Sequence, residues 1–169
     1  SLLQSLISYK ERFMFKVNKV HAHCDIPCKV YDPSIAQYAA LSVVRLIDII
    51  EEVDEKNPQK VIISQVSRLT SSKEEQAQMV KDEIAVIWGD YFKEPQIKEH
   101  PEIHELVHSI MMAGSKCKQE LSRKNGEDLL DKVNEFAKIF WATKNVETQI
   151  KKAPYLPGLD IVCPVLKDA

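Results

Sequence analysis

Between Ser34 and Trp141 the apolar residues recur three and four positions apart in four successive runs, a spacing that commits the chain to packing helix against helix. The first run is Ala36, Ala39, Val43, Leu46, Ile47 and Ile50, closing on Glu51, Glu52, Asp54 and Glu55. Pro33 and Ser34 can start it, with the Asp32 carboxylate accepting early backbone N–H groups. Asn57-Pro58 then marks a turn and a restart. The second run passes Val61, Ile62, Val66 and Leu69, meets Thr70-Ser71-Ser72 as an interruption or a kink, and continues through Ala77, Val80, Ile84, Ile87, Trp88 and Tyr91. It stops between Gly89 and Pro95. His100-Pro101-Glu102 reads as N-cap, N1 and acidic first turn of the third helix, whose stripe is Ile103, Leu106, Val107, Ile110, Met111, Cys117 and Leu121. Asn125-Gly126 predicts a turn, and Leu130, Val133, Phe136, Ala137, Phe140 and Trp141 the fourth helix. Short connections make such helices antiparallel neighbours, so the expected fold is all-α, an up-and-down four-helix bundle. Only four glycines among 169 residues agree with that.

The same composition excludes several functions. A net charge of -2 gives no basic surplus for nucleic acid, and no apolar run reaches the roughly 18 residues a membrane span needs. The length suffices for a core without disulfide staples, and the four cysteines are unevenly spaced, with Cys24 and Cys28 close and Cys117 and Cys163 each alone. A local thiol site in a reducing compartment fits better than a secreted disulfide framework. Residues 1–22 carry Lys10, Arg12, Lys16 and Lys19 against Glu11 and read either as a pro-segment or targeting leader or as an ordinary terminal helix or tail. The expected location is cytoplasmic, or an organelle if that leader targets one. Residues 23–145 form the expected domain, with 23–33 before the bundle of 34–145. The tail of 146–169 holds Pro154, Pro157 and Pro164, cannot be helical throughout, and should wrap the bundle or reach toward another subunit.

The chemistry concentrates in His23-Cys24-Asp25-Ile26-Pro27-Cys28-Lys29-Val30-Tyr31-Asp32-Pro33. Elsewhere the bland readings are better. Cys117 lies in an apolar stripe as a small hydrophobe, Cys163 has nothing beside it to lower its pKa, and His100, His104 and His108 share a helical face but lack the glutamate placement of a zinc-protease motif. Cys24 and Cys28 alone suit neither a zinc site nor a thioredoxin-type dithiol. A cut after Ala22 changes this, because His23 would then present a free α-amine. That amine, the Cys24 amide nitrogen and the Cys24 thiolate close fused chelate rings, Cys28 returns at Pro27 as a fourth donor, and the His23 imidazole can approach along the axis. Nitrogen and thiolate donors in one plane suit Ni(II) or Cu(II) and favour redox chemistry.

This segment closely resembles the amino-terminal hook of nickel superoxide dismutases, H-C-D-x-P-C-x-V-Y-D-P. Trp88-Gly-Asp-Tyr-Phe-Lys93 resembles that family's W-x-D-Y-F-K, His100-Pro-Glu-Ile-His104 its Y-P-x-L-H, and Lys138-Ile-Phe-Trp-Ala-Thr-Lys144 its K-I-F-W-x-T-K. The resemblance implies a homohexamer of four-helix bundles with nickel as cofactor, converting superoxide to oxygen and hydrogen peroxide by Ni(III)/Ni(II) cycling. It implies His23, Cys24 and Cys28 as metal ligands, Pro27 as the residue that fixes the turn through a cis peptide, and Tyr31 beside the open axial face. Asp25, Tyr91 and Lys93 join Tyr31 as implied catalytic residues, Lys93 attracting the anion or anchoring the hook, while Trp88 packs. It also implies a processing protease that cuts between Ala22 and His23.

Two departures stand out. Lys29 replaces a common glycine, which raises the question of a positive φ there and adds charge beside an anion-consuming site. Ala39 and Gln76 occupy positions where some members place a Glu and an Arg that orient the imidazole, and neither can form that pair. A second function, a non-catalytic helical bundle that carries a metal on the hook without dismutase activity, therefore stays open from sequence.

Overall fold

The computed structural model describes residues 29–167. Four long helices, α1 (Ser34–Glu51), α2 (Gln59–Val86), α4 (Ile103–Gln119) and α5 (Arg123–Thr143), form the bundle, and a short α3 (Glu94–Glu99) lies between α2 and α4. Helix α1 packs on α2, α2 on α4, α4 on α5, and α5 closes the ring against α1. The core is drawn from the predicted stripes: Ala36, Ala39, Val43 and Ile47 face Ala77, Val80 and Ile84, with Ile103, Ile110, Val133, Phe136 and Phe140 from the other pair, whereas Val61, Ile62, Val66 and Leu69 in the first half of α2, and Leu121 beyond α4, stay outside it. Each large side chain so buried contributes about 1.5–3 kcal/mol. Asp32 is not the cap expected of it: Pro33 is the N-cap residue of α1 and no side chain caps the helix, while the Asp32 carboxylate accepts the Ser34 N–H at 2.8 Å two residues on, in an Asx turn that leads into it.

Three further local expectations need correction. The second helix runs unbroken through Thr70-Ser71-Ser72, but its α-helical part ends at Val86 and a π-helical turn, Ile87–Tyr91, follows. His100 does not cap α4 with its side chain. It closes α3, its imidazole pairs with Glu102 at 3.2 Å, and α4 begins at Ile103. Asn125-Gly126 is not a turn either, because α5 already begins at Arg123. The turn lies at Glu120–Ser122, and Asn125 donates its side-chain amide to Glu120 at 2.8 Å.

Gly126 is there for a different reason. A Cβ at this position would lie 2.8 Å from Cγ2 of Val44, where α5 crosses α1. Gly126→Ala gains helix propensity of about 1 kcal/mol but forces a stiff β-branched neighbour aside, an overpacking cost of about 1–3 kcal/mol. We expect a net loss of roughly 1 kcal/mol in urea unfolding, with a more stable variant as the contrary result.

The tail folds back onto the bundle, one of its two expected courses, as an antiparallel hairpin of β1 (Thr148–Lys152) and β2 (Asp160–Pro164), with Ile150 opposite Val162. The buried Ile161 and Val162 seat it against the helices. Asn134 of α5 acts on β2 as a neighbouring peptide group would. Its Oδ1 accepts the Val162 N–H at 3.1 Å and its Nδ2 donates to the Asp160 carbonyl at 2.9 Å. Gln37 of α1, almost fully buried, donates to the Val162 carbonyl at 2.8 Å and to Asn134 Oδ1 at 2.9 Å.

Lys73 is the other buried polar residue among the described residues, 1 % exposed in the middle of α2. Its ammonium donates to the carbonyls of Cys117, Lys118 and Glu120, closing the C-terminal end of α4, where the helix leaves carbonyls unpaired. Burial lowers its pKa.

Candidate metal centre and its aromatic support

The residues expected as metal ligands, His23, Cys24 and Cys28, together with Asp25 and Pro27, lie outside the described residues. The chain becomes describable at Lys29, directly after Cys28, and there the backbone turns with φ 61°. A positive φ is natural for glycine and costs a lysine about 1 kcal/mol, so the glycine-like backbone is kept although the residue has changed.

Tyr31 follows, half-buried and packed against the core, with its ring 6.0 Å from that of Tyr91. Tyr91 reaches that position from the last residue of the π-helical turn. The turn's wider spacing brings Tyr91 and Phe92 inward together: Tyr91 packs on Phe140 at 5.0 Å, Phe92 on Phe136 at 5.6 Å, and Phe140 on Trp141 at 5.0 Å. Such turns recur at functional sites because they re-aim side chains within a helix. The aromatic chain thus ties the segment that follows the hook to the middle of the bundle.

Two residues that sequence reasoning did not single out hold Tyr91 in place. The Thr143 hydroxyl donates to the Phe140 carbonyl at 2.6 Å, so its oxygen must accept the hydroxyl proton of Tyr91, 2.7 Å away. Lys144 places its ammonium over the Tyr91 ring, 4.6 Å from the centroid, and 5.2 Å from that of Phe140. Both belong to the motif Lys138-Ile-Phe-Trp-Ala-Thr-Lys144, which carries the family resemblance without by itself placing either residue at the site. Lys93 is near in sequence, but its exposed side chain turns back to donate to the Gly89 carbonyl at 2.7 Å and so braces the π-helical turn.

His104 of α4 is engaged elsewhere. Trp88 donates its indole N–H to His104 Nδ1 at 3.0 Å and meets that ring edge-on, so Trp88 does more than pack. Among the described residues no three His, Cys, Asp or Glu side chains converge as a metal site. Burial pushes the Cys117 thiol up to about 11, with Lys73 opposing part of the shift, so it stays a neutral thiol. The sequence also holds the His23 imidazole and the Cys24 and Cys28 thiols, outside the described residues, and soft sulfur with borderline nitrogen is a donor chemistry that suits nickel. The neighbours expected of an imidazole-orienting pair are absent, since Ala39 is buried in the core and Gln76 lines a groove with Tyr38 and Glu75.

The model of the family described as nickel-containing superoxide dismutase matches residues 18–144. The chain is 38% identical to the superoxide dismutase [Ni] of Streptomyces coelicolor over 125 residues, covering 74% of this chain and 90% of that protein. It is likewise 38% identical to the enzyme of that name from Streptomyces seoulensis, over 75% of this chain and 91% of the relative. A crystal structure of Ni-containing superoxide dismutase in the oxidized state superposes with a TM-score of 0.66 at 36% identity, covering 73% of this chain and 99% of the other. The native structure of nickel superoxide dismutase gives 0.65 at 36% identity, over 72% and 99%. The hairpin begins after the last residue of the family match.

Proposed function

The chain belongs to the nickel-containing superoxide dismutase family, and from that membership we propose how its own residues perform the dismutation. It is an oxidoreductase that takes superoxide as substrate and nickel as cofactor, and a metal carrier without activity is the less favoured function. The ligands are His23, through amine and imidazole, Cys24, through amide nitrogen and thiolate, and Cys28, through thiolate. Nickel held there supplies a one-electron couple that both oxidises and reduces superoxide.

The protein residues supply binding, access and protons. Two superoxide anions and two protons yield one oxygen and one hydrogen peroxide, so the site must attract anions and deliver protons. Tyr31 borders the access face and orders water there, while Tyr91, its hydroxyl proton directed at Thr143, keeps the Tyr31 ring in position. Asp25 lies within the hook and belongs to the proposed catalytic set. Lys93 stabilises the turn that carries Tyr91. The observation that carries this reading is the contact of Tyr31 with Tyr91, which joins the residues after the hook to the second family segment.

The α-amine of His23 exists only after cleavage between Ala22 and His23, so a processing protease is part of the proposal, and so is assembly as a homohexamer. Exposed Val30, Ile35 and Tyr38 near the root of the hook are consistent with burial between subunits. Intact-mass analysis of the native protein with nickel quantification tests the reading. The expected result is a chain beginning at His23 with one nickel per subunit. An active dismutase that still begins upstream of His23, or that contains no nickel, sinks it.

A further inference from the structure

We propose that Lys144 is the cation that draws superoxide onto the Tyr31–Tyr91 face, a substrate-guiding role that rests on the dismutase reading above. Lys93 is the candidate suggested by sequence, and the structure gives it other work: its ammonium is bound to the Gly89 carbonyl inside the π-helical turn. Lys144 is placed differently. Like Lys93 it has no carboxylate partner among the described residues, but its ammonium lies over the faces of Tyr91 and Phe140 and is not bound to a carbonyl. An aromatic face attracts a cation without cancelling its charge or consuming its N–H donors, so the field of this lysine remains available to an approaching anion.

Its place in the fold keeps it there. Lys144 is the residue that ends α5, where the helix presents unpaired carbonyls and favours a positive charge. The preceding residue, Thr143, takes the Tyr91 hydroxyl proton, so consecutive residues fix Tyr91 by its hydroxyl and by its face. With that proton turned toward Thr143, the donors next to the Tyr91 ring are those of Lys144. The partly buried setting weakens solvent screening relative to a fully exposed lysine.

The test compares nickel-loaded mature wild type, Lys144→Met, Lys144→Arg and Lys93→Met, measuring kcat/KM for superoxide by stopped flow across ionic strength. At about 10 mM salt we expect Lys144→Met to fall roughly three- to tenfold, with a flatter salt dependence. The gap should close toward 1 M, where screening acts within about 3 Å. Lys144→Arg should retain the wild-type slope, and Lys93→Met should retain it too, whatever its absolute rate. A readout independent of turnover uses the metal-free protein: the ε-methylene protons of Lys144, shifted upfield by the Tyr91 ring, should move on azide addition, and those of Lys93 should not. A wild-type salt slope in Lys144→Met, or nickel loss from that variant alone, overturns the proposal and makes Lys144 an anchor of the hook. Absence of dismutation in nickel-loaded wild type would instead defeat the dismutase reading, and the azide titration would still decide whether Lys144 attracts anions.

Discussion

Cys28→Ser is expected to abolish dismutation, reducing superoxide loss to its spontaneous rate, while the far-ultraviolet circular dichroism of the bundle stays unchanged. A serine hydroxyl is not ionised near neutral pH and is a hard, weak donor, so the replacement would remove a proposed ligand and with it most of the affinity for a thiophilic metal. The fold should not register the change. Its core runs from Ala36 through Val162 and lies within the described helices and hairpin, with Tyr31 packed against it from the side. Nickel content, activity and helicity measured on one preparation decide the matter. Retained nickel with retained activity would remove Cys28 from the ligand set, and lost helicity would make the cysteine structural.

Lys73→Met has its largest effect on stability. The substitution fits the volume but leaves the carbonyls of Cys117, Lys118 and Glu120 without their shared donor. An unpaired buried acceptor costs about 1–3 kcal/mol, and α4 also loses the positive charge at its C-terminal end, so a total of about 2–4 kcal/mol is expected in chemical denaturation. The pH dependence carries its own sign. Burial holds the folded-state pKa of Lys73 below 10.5, so as pH rises toward that value the unfolded chain binds more protons than the folded one. The penalty for burying the ammonium is relieved in that window, and the advantage of wild type over Lys73→Met should widen there. A variant equal to wild type at neutral pH would show that water or a rearranged helix end replaces the lysine.

Periodicity made α1, α4 and α5 legible because each buries one continuous stripe, and the stripes in Val43, Ile110 and Phe136 are those the core uses. It could not show the π-helical turn, since one wider turn disturbs a 3.6-residue pattern too little to be seen over five residues. Asn125-Gly126 misled because that dipeptide has two physical uses, a turn or a close helix crossing, and only the position of Val44 distinguishes them. The hairpin escaped because its strands are five residues long and the segment is rich in proline, while the groups that complete β2 are side chains of distant helices. Around the site, Tyr31, Tyr91 and Lys93 were visible as family motif positions. Thr143 and Lys144 acquire their roles only from contacts across 52 and 53 residues, which no local pattern encodes.

The pairing of Asn134 and Gln37 with β2 bears on how the molecule avoids sticking to itself. A two-stranded ribbon has two open edges, and an open edge is a template on which another chain can lengthen the sheet. Here the inner edge is occupied by side-chain amides that copy the hydrogen-bonding of a third strand but cannot be extended into one. The outer strand carries Lys151 and Lys152, both exposed, whose charges oppose the approach of an identical ribbon. Sheet growth is thus opposed by mimicry on one side and by repulsion on the other, so the hairpin offers a further strand no ready template.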